Sequence, residues 1–176
     1  MIMMLGDSIT AGFDLKKYFP DFNVVNKGIS GDNTDLILAR LTKDVVDVRP
    51  DYLFILVGTN DMAGLFTNEK VIANYEKILK ILREHIPLTK ITVQSILPTR
   101  ELENRPLPRI RLLNSMIEAA AKKYNAAYID WTTLFEGPDG CILEALSEDG
   151  LHLTEEGYAL WAAHLRKVFT ECASQR

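Results

Sequence analysis

The chain has 176 residues, of which 47% are hydrophobic and 25% are charged, the composition of an ordinary soluble globular protein. This length predicts a single domain, residues 1–176, with one hydrophobic core. The formal net charge of −4 argues against nucleic acid as a main partner, because phosphate binding usually needs a basic surface. No apolar run approaches the roughly 20 residues that a membrane-spanning helix requires.

The first residues do not have the pattern of a secretory signal. Met1–Leu5 is apolar, but it stops at Gly6 and no Lys or Arg precedes it, whereas a signal peptide has a positive segment and a longer apolar run. We therefore expect a buried strand here and a cytoplasmic protein; a secreted chain with its leader already removed is the alternative. Cys141 and Cys172 are too few for a disulfide framework and lack the spacing of a zinc site.

Short apolar runs alternate with segments of helical periodicity along the chain. Alternation of this kind, with short connections, predicts an α/β fold in which right-handed crossovers place helices on both faces of a parallel sheet. The predicted strands are Met1–Leu5, Asn23–Asn26, Tyr52–Val57, Lys90–Leu97 and Ala126–Asp130.

Helices are predicted between these strands and after the last one. Thr154 is a good N-cap for the final helix, and Pro108 suits the first turn of the helix before it. The helical segments are a stripe of Leu36, Leu41, Val45 and Val48 that ends at Pro50, then Asn68–His85, then about Pro108–Tyr124, then the chain after Thr154.

Glycines and polar residues follow the predicted strands in four places. Ligands of parallel α/β sheets bind beyond the carboxyl ends of the strands, so we expect these four segments to meet at one edge. Together they supply a hydroxyl, an imidazole, a carboxylate, an amide and glycine backbone, which are the groups that nucleophilic acyl transfer needs. The segments are Gly6-Asp7-Ser8-Ile9-Thr10, Lys27-Gly28-Ile29-Ser30-Gly31-Asp32, Gly58-Thr59-Asn60-Asp61 and Asp149-Gly150-Leu151-His152-Leu153.

Ser8 and His152 are the candidate nucleophile and base. A serine hydroxyl is a weak nucleophile at neutral pH and needs an adjacent base, for which an imidazole is suited. Asp149 lies three residues before His152 and could fix its tautomer. The N–H groups of Ser8 and Gly31 and the amide of Asn60 could donate to the oxyanion of a tetrahedral intermediate.

These segments resemble, in order, the four blocks of the SGNH hydrolases, also called GDSL esterases and lipases. The resemblance runs from about residue 3 to beyond residue 160 and implies a flavodoxin-like three-layer α/β/α sandwich with a five-stranded parallel sheet. It also implies a catalytic triad of Ser8, Asp149 and His152 and an oxyanion hole of Ser8, Gly31 and Asn60. Leu97-Pro98, the arginine-rich segment after it and Asp149–Thr154 are most similar to the platelet-activating-factor acetylhydrolase-like branch.

The predicted function is a serine ester hydrolase that cleaves short-chain or acetyl esters through an acyl-enzyme, with no metal and no organic cofactor. A short acyl group is expected because the chain leaves few residues for a lid or a long tunnel. A lysophospholipase or an acyl thioesterase is the alternative within the superfamily, and a non-catalytic flavodoxin-like binding module is the remote one. The expected partner is a small-molecule ester; a homodimer is left open.

Each candidate residue also has a structural interpretation. Ser8 could be only the N-cap of the first helix, and Asn60 could begin an Asx turn. Gly31 could be a turn glycine, and Asp149 begins a common turn dipeptide. Asp7 is expected to anchor its turn by hydrogen bonds.

An arginine-rich segment follows the fourth predicted strand. It contains Arg100, Arg105, Arg109 and Arg111. A solvated surface stiffened by prolines is the favoured interpretation. The alternatives are that one arginine meets an anionic group of the substrate or that the segment forms a dimer contact.

Overall fold

The structure is a computed structural model that describes residues 1–174. These residues contain a five-stranded sheet, and all its strands run parallel in the order β2-β1-β3-β4-β5. Helices cover both faces, so the α/β three-layer fold is confirmed; that residues 1–176 form one domain stays a prediction. The strands are β1 (Ile2–Gly6), β2 (Val24–Gly28), β3 (Tyr52–Leu56), β4 (Lys90–Gln94) and β5 (Ala127–Ile129).

The helices lie between the strands and after the last one. Within residues 1–174, none of them has the length and apolar character needed to cross a membrane. They are α1 (Ser8–Ala11), α2 (Leu15–Tyr18), α3 (Thr34–Leu41), α4 (Thr59–Ala63), α5 (Asn68–His85), α6 (Leu107–Lys123), α7 (Thr132–Phe135) and α8 (Glu155–Ser174), with a 3₁₀ turn at Glu144–Leu146.

Strands β1 and β3 lie side by side inside the sheet, and each is buried along its whole length. Because successive side chains point to opposite faces, the strands contribute to two cores. Met3 and Leu5 pack in the core beneath α3, α5 and α6, whereas Met4 packs in the core beneath α1, α2, α7 and α8. Burial on both faces explains why these strands are apolar throughout.

The helix before Pro50 differs from the prediction. It begins as α3 and continues as a π-helical turn at Thr42–Val46. Leu36 and Val48 of the predicted stripe are exposed, so the prediction was wrong at both positions. The buried positions are Ile37, Leu41 and Val45, which are spaced by four residues, and the wider π turn keeps the last of them on the buried face.

Strand β4 ends at Gln94, short of the predicted end at Leu97. Beyond it, the N–H of Ile96 donates to Asn114 Oδ1 at 2.8 Å, and the carbonyl of Ile96 accepts from Asn114 Nδ2 at 2.9 Å. Asn114 lies on α6 and is buried. A side-chain amide therefore takes the place of a neighbouring strand and directs the chain out of the sheet.

We expect Asn114→Ala to lower the free energy of unfolding by roughly 2–4 kcal/mol, because both backbone groups of Ile96 would lose their partner in a buried place. Urea denaturation at pH 7 measures this change. The control is Ser115→Ala, an exposed neighbour on the same helix, which should stay within about 0.5 kcal/mol of the wild type. Equal stability of the two variants would contradict the bridge.

Candidate active site

The turn after β1 is held by Asp7. Asp7 is fully buried, and its Oδ1 accepts a hydrogen bond from the N–H of Ile9 at 3.0 Å. Asp7 is thus the N-cap of α1, which confirms its expected role as the anchor of this turn. The interpretation of Ser8 as the cap was wrong: Ser8 is the first helical residue, and its hydroxyl faces His152.

Ser8, His152 and Asp149 form a continuous chain of hydrogen bonds. Ser8 Oγ lies 3.0 Å from His152 Nε2, and His152 Nδ1 lies 2.6 Å from Asp149 Oδ2. Since an ionised carboxylate can only accept, Nδ1 carries the hydrogen and Nε2 presents its lone pair to the serine hydroxyl. This tautomer can accept a proton from Ser8.

Asp149 also holds the backbone of its own loop. Its Oδ1 accepts from the N–H groups of Leu151 at 2.9 Å and His152 at 2.7 Å. Gly150 has φ +75°, and a side chain there would come within 2.3 Å of the carbonyl oxygen of Arg100. The turn and the contact with the imidazole therefore do not exclude each other, since one carboxylate oxygen closes the turn and the other bonds the ring.

Asp149 is ionised at neutral pH. Burial alone would raise its pKa, but hydrogen bonds from the His152 ring and from two backbone N–H groups lower the pKa to about 2. The side chains of His152 and Asp149 are 49% and 55% exposed, and a cavity of about 270 Å³ opens beside them. The pair is therefore in contact with solvent.

Gly31 and Asn60 are linked through Asp32. Asn60 Nδ2 donates to the carbonyl of Asp32 at 2.9 Å. Gly31 has φ +85° in a turn that the N–H of Asp32 closes on the carbonyl of Ile29 at 3.1 Å. The turn interpretation of Gly31 is confirmed. The Asx-turn interpretation of Asn60 was wrong, because Asn60 lies in the first turn of α4.

Asp61 joins the starts of α3 and α4. Its carboxylate is fully buried and accepts from the N–H of Thr34 at 3.1 Å and from the Thr34 hydroxyl. Asn74 in turn donates to that hydroxyl at 2.8 Å. These bonds hold the segments after β2 and β3 against each other. Sequence reasoning missed Thr34 and Asn74, because a single polar residue in a helix gives no sign that it is buried.

Arg40 on α3 is a second residue that the sequence did not single out. Its Nε lies 2.7 Å from Asp32 Oδ2, and its Nη1 lies 2.9 Å from Asp44 Oδ2. Its Nη2 donates to the carbonyl of Lys27 at 2.8 Å. Arg40 therefore binds both the end of β2 and the Gly31 turn.

Arg100, Arg105 and Arg109 after β4 make structural contacts. Arg111 and the glutamates of the segment are exposed, so the interpretation as a solvated surface holds for these residues only. Arg100 donates to the carbonyl of Ile142 at 2.9 Å and pairs with Asp139 at 3.1 Å. Arg109 donates to Asn68 Oδ1 at 2.9 Å. These contacts fasten the segment to the loop after α7 and to the start of α5.

Arg105 reaches the site itself. Its Nε lies 3.1 Å from both the carbonyl and the hydroxyl oxygen of Thr59, and its Nη2 lies 3.4 Å from Asn60 Oδ1. Sequence reasoning placed this segment at the active-site edge but did not select among its arginines.

The remaining histidines lie outside the site. The Nδ1 of His85 and that of His164 each bond the carbonyl four residues earlier in the helix. Within residues 1–174, no group of three or more His, Cys, Asp or Glu side chains is arranged to hold a metal ion.

Comparison with known proteins decides the family. The model of the GDSL-like lipase/acylhydrolase family matches residues 4–160. The chain belongs to this family. The resemblance to SGNH hydrolases that the four segments indicate is therefore confirmed, and this acylhydrolase-family protein carries those segments at the carboxyl edge of its sheet.

Relatives of this GDSL-family protein include platelet-activating-factor acetylhydrolases. The chain is 28% identical over 163 residues to the IB subunit alpha1 of that enzyme from Homo sapiens. The aligned region covers 89% of this chain and 70% of the relative. This similarity agrees with the branch that the sequence predicts.

Solved structures share the fold of this GDSL-family protein. A GDSL-like lipase from Bacteroides thetaiotaomicron VPI-5482 has a TM-score of 0.86 at 25% identity, covering 97% of this chain and 88% of its own. Axe2, an acetylxylan esterase from Geobacillus stearothermophilus, has a TM-score of 0.74 at 21% identity, covering 95% and 93%. The second likeness shows the fold alone.

Asp7, the residue before Ser8, has a buried carboxyl group with a raised pKa. Its pKa is raised from 3.8 to about 7, chiefly by burial and also by the neighbouring Asp32 and Asp61, against the opposing effects of the Ile9 N–H and of His152. Its Oδ2 has no hydrogen-bond partner among the described residues.

We expect Asp7→Asn to gain stability relative to the wild type as the pH rises. Between pH 3.8 and about 7 the folded protein holds a proton on Asp7 that the unfolded chain releases, so this group's contribution to stability falls as the pH rises through that window. Asn keeps the capping oxygen but does not titrate. The difference in unfolding free energy between variant and wild type should therefore shift by up to about 4 kcal/mol in favour of the variant from pH 4 to pH 8.

Denaturant titrations of both proteins at pH 4, 6 and 8 measure this difference. The matched control is Asp14→Asn, which replaces the exposed N-cap of α2 and keeps Asp7, so it should retain the loss of stability with rising pH that Asp7 causes in the wild type. A pH-independent difference for Asp7→Asn would contradict a raised pKa at Asp7.

Proposed function

We propose that this acylhydrolase-family protein is a carboxylic ester hydrolase that acts on short-chain or acetyl esters through an acyl-enzyme on Ser8. The observation that carries the proposal is the chain from Ser8 Oγ through His152 to Asp149, with distances of 3.0 and 2.6 Å. A non-catalytic module would not need a serine hydroxyl hydrogen-bonded to an imidazole that a carboxylate orients.

The reaction proceeds in two halves. In the first, Ser8 Oγ attacks the ester carbonyl as His152 Nε2 takes its proton, and the same proton then passes to the leaving alcohol as the acyl-enzyme forms. In the second, His152 takes a proton from water, the hydroxide attacks the acyl group, and the carboxylic acid leaves as Ser8 is reprotonated. Asp149 stabilises the imidazolium in both halves.

The developing oxyanion takes its hydrogen bonds from the N–H of Ser8, the N–H of Gly31 and the amide of Asn60. Asn60 donates one Nδ2 hydrogen to the carbonyl of Asp32. Because a primary amide has two such hydrogens, the other can bond the oxyanion. The glycine backbone lets the substrate come close, since nothing lies within 4 Å of the place where a side chain of Gly31 would stand.

A short acyl group fits the openness of the site. The side chains of His152 and Asp149 are half exposed, and charged side chains, those of Glu148 and Glu155, line the cavity beside them. Methylenes placed there would stay in contact with water and gain little. A relative bears the name of an acetylhydrolase, which supports an acetyl ester as the substrate.

We expect Ser8→Ala to abolish hydrolysis of p-nitrophenyl acetate and to leave the thermal unfolding midpoint close to that of the wild type. A fluorophosphonate probe should label the wild type stoichiometrically, with the label on the peptide that contains Ser8. Ser115→Ala, at an exposed position of α6, is the control and should keep both activity and labelling. Full activity in Ser8→Ala, or labelling of another serine, would refute the nucleophile.

Among p-nitrophenyl esters of two to twelve carbons, we expect kcat/KM to be highest for acetyl and butyryl esters and to fall beyond about six carbons. A buried methylene contributes about 0.8 kcal/mol, close to fourfold in kcat/KM when realised in the transition state, and this site offers no such burial. Each ester is measured below its aggregation limit. A steady rise to eight or ten carbons would favour the lysophospholipase alternative.

A further inference from the structure

We propose that Arg105 is a positioning residue for ester hydrolysis: it holds the Asn60 amide in the orientation that turns one N–H toward the oxyanion. The inference rests on the proposed function, in which Asn60 is an oxyanion donor. It assigns a role at the site to one arginine of the segment after β4.

The Asn60 amide is held from both ends. Its Nδ2 donates to the carbonyl of Asp32 at 2.9 Å, and its Oδ1 lies 3.4 Å from Arg105 Nη2. In the flipped amide, Oδ1 would face a carbonyl oxygen and Nδ2 would face a guanidinium N–H, so both contacts would become repulsive. Without Arg105, only the contact with Asp32 would oppose rotation of the side chain.

The charge of Arg105 strengthens the same donor. Within residues 1–174, no carboxylate lies within ion-pair distance of this guanidinium, whose hydrogen bonds go to neutral oxygens of Thr59, Asn60 and Asn104. A positive charge beside the amide oxygen draws electron density from the nitrogen and makes its N–H a better donor. The positive charge also favours the oxyanion as it develops.

Arg105 is itself held in place by its loop. Its N–H donates to the carbonyl of Leu102 at 2.9 Å, and its carbonyl accepts from the Thr99 hydroxyl at 2.8 Å. Its Nε contacts two oxygens of Thr59, the residue before Asn60. A guanidinium fastened to both the loop and α4 can hold a neighbouring side chain without moving itself.

Kinetics with p-nitrophenyl acetate test the role. Arg105→Met should lower kcat about tenfold with KM within about twofold, a smaller loss than the roughly 10²–10³ expected for Asn60→Ala, which removes the donor itself. The matched control is Arg109→Met. Arg109 lies in the first turns of α6 and also bonds neutral oxygens, those of Asn68 and Phe66, so its loss should leave kcat within about twofold.

A double-mutant cycle separates positioning of Asn60 from a general structural effect. If Arg105 acts through Asn60, Arg105→Met should cost less than about twofold in kcat once Asn60 is already Ala. Arg105→Lys keeps the charge but cannot reach Thr59 and Asn60 together, so we expect it to lose about threefold. If Arg105→Met does not fold, the cycle is run with Arg105→Lys, whose loss should likewise vanish in the Asn60→Ala background.

The outcomes distinguish this inference from the function on which it rests. An active wild type with unchanged kcat in Arg105→Met would overturn the inference alone, and so would an equal loss in both backgrounds. A rise in KM with unchanged kcat would also overturn it, because it would show that Arg105 binds substrate. A wild type that hydrolyses no ester of two to twelve carbons would overturn the proposed function and this inference with it.

Discussion

The site depends on the burial of three carboxyl groups at the carboxyl edge of the sheet. Asp7, Asp32 and Asp61 are each nearly or fully inaccessible to water, and a charge in such a place is costly unless it finds donors. Thr34 after β2 donates to Asp61 after β3, and Arg40 donates both to Asp32 and to the carbonyl of Gly6 at the end of β1. Among residues 1–174, Asp7 accepts only from Ile9 in its own turn. Asp61 and Asp32, through Thr34 and Arg40, therefore hold the segments after β1, β2 and β3 together.

The three buried acidic side chains create an electrostatic difficulty for the proposed chemistry. An oxyanion beside Ser8 would form above a cluster of acids, each of which would repel it. Burial raises the pKa of Asp7 to about 7, which reduces its negative charge near neutral pH, while Arg40 and Arg105 bring positive charge from two sides. The positive side chains that hold the loops thus also make the site tolerate an anion.

The base of the proposed mechanism lies on an exposed loop, yet its geometry is well defined. Asp149 bonds the backbone of the loop with one oxygen and the ring of His152 with the other. Orientation of the imidazole therefore depends on a local turn and on the contact of that loop with Arg100, whose N–H donates to the carbonyl of Gly150 at 3.0 Å. The imidazole can therefore be oriented and still be in contact with water, because its orientation comes from bonds within the loop and not from burial.

The five strands and their parallel arrangement can be predicted from the sequence, since alternation and apolar runs are local patterns that burial on both faces requires. That chemistry takes place at the carboxyl edge stays a prediction. It could not determine which polar groups become partners. The local sequence allows Ser8 to be either a nucleophile or the cap of α1, and Asp7 takes the cap position; β4 ends early because Asn114 replaces a strand. The arginines after β4 looked like surface residues. These points depend on the three-dimensional structure, because whether a polar side chain is solvated or buried against a backbone carbonyl depends on segments far away in the chain.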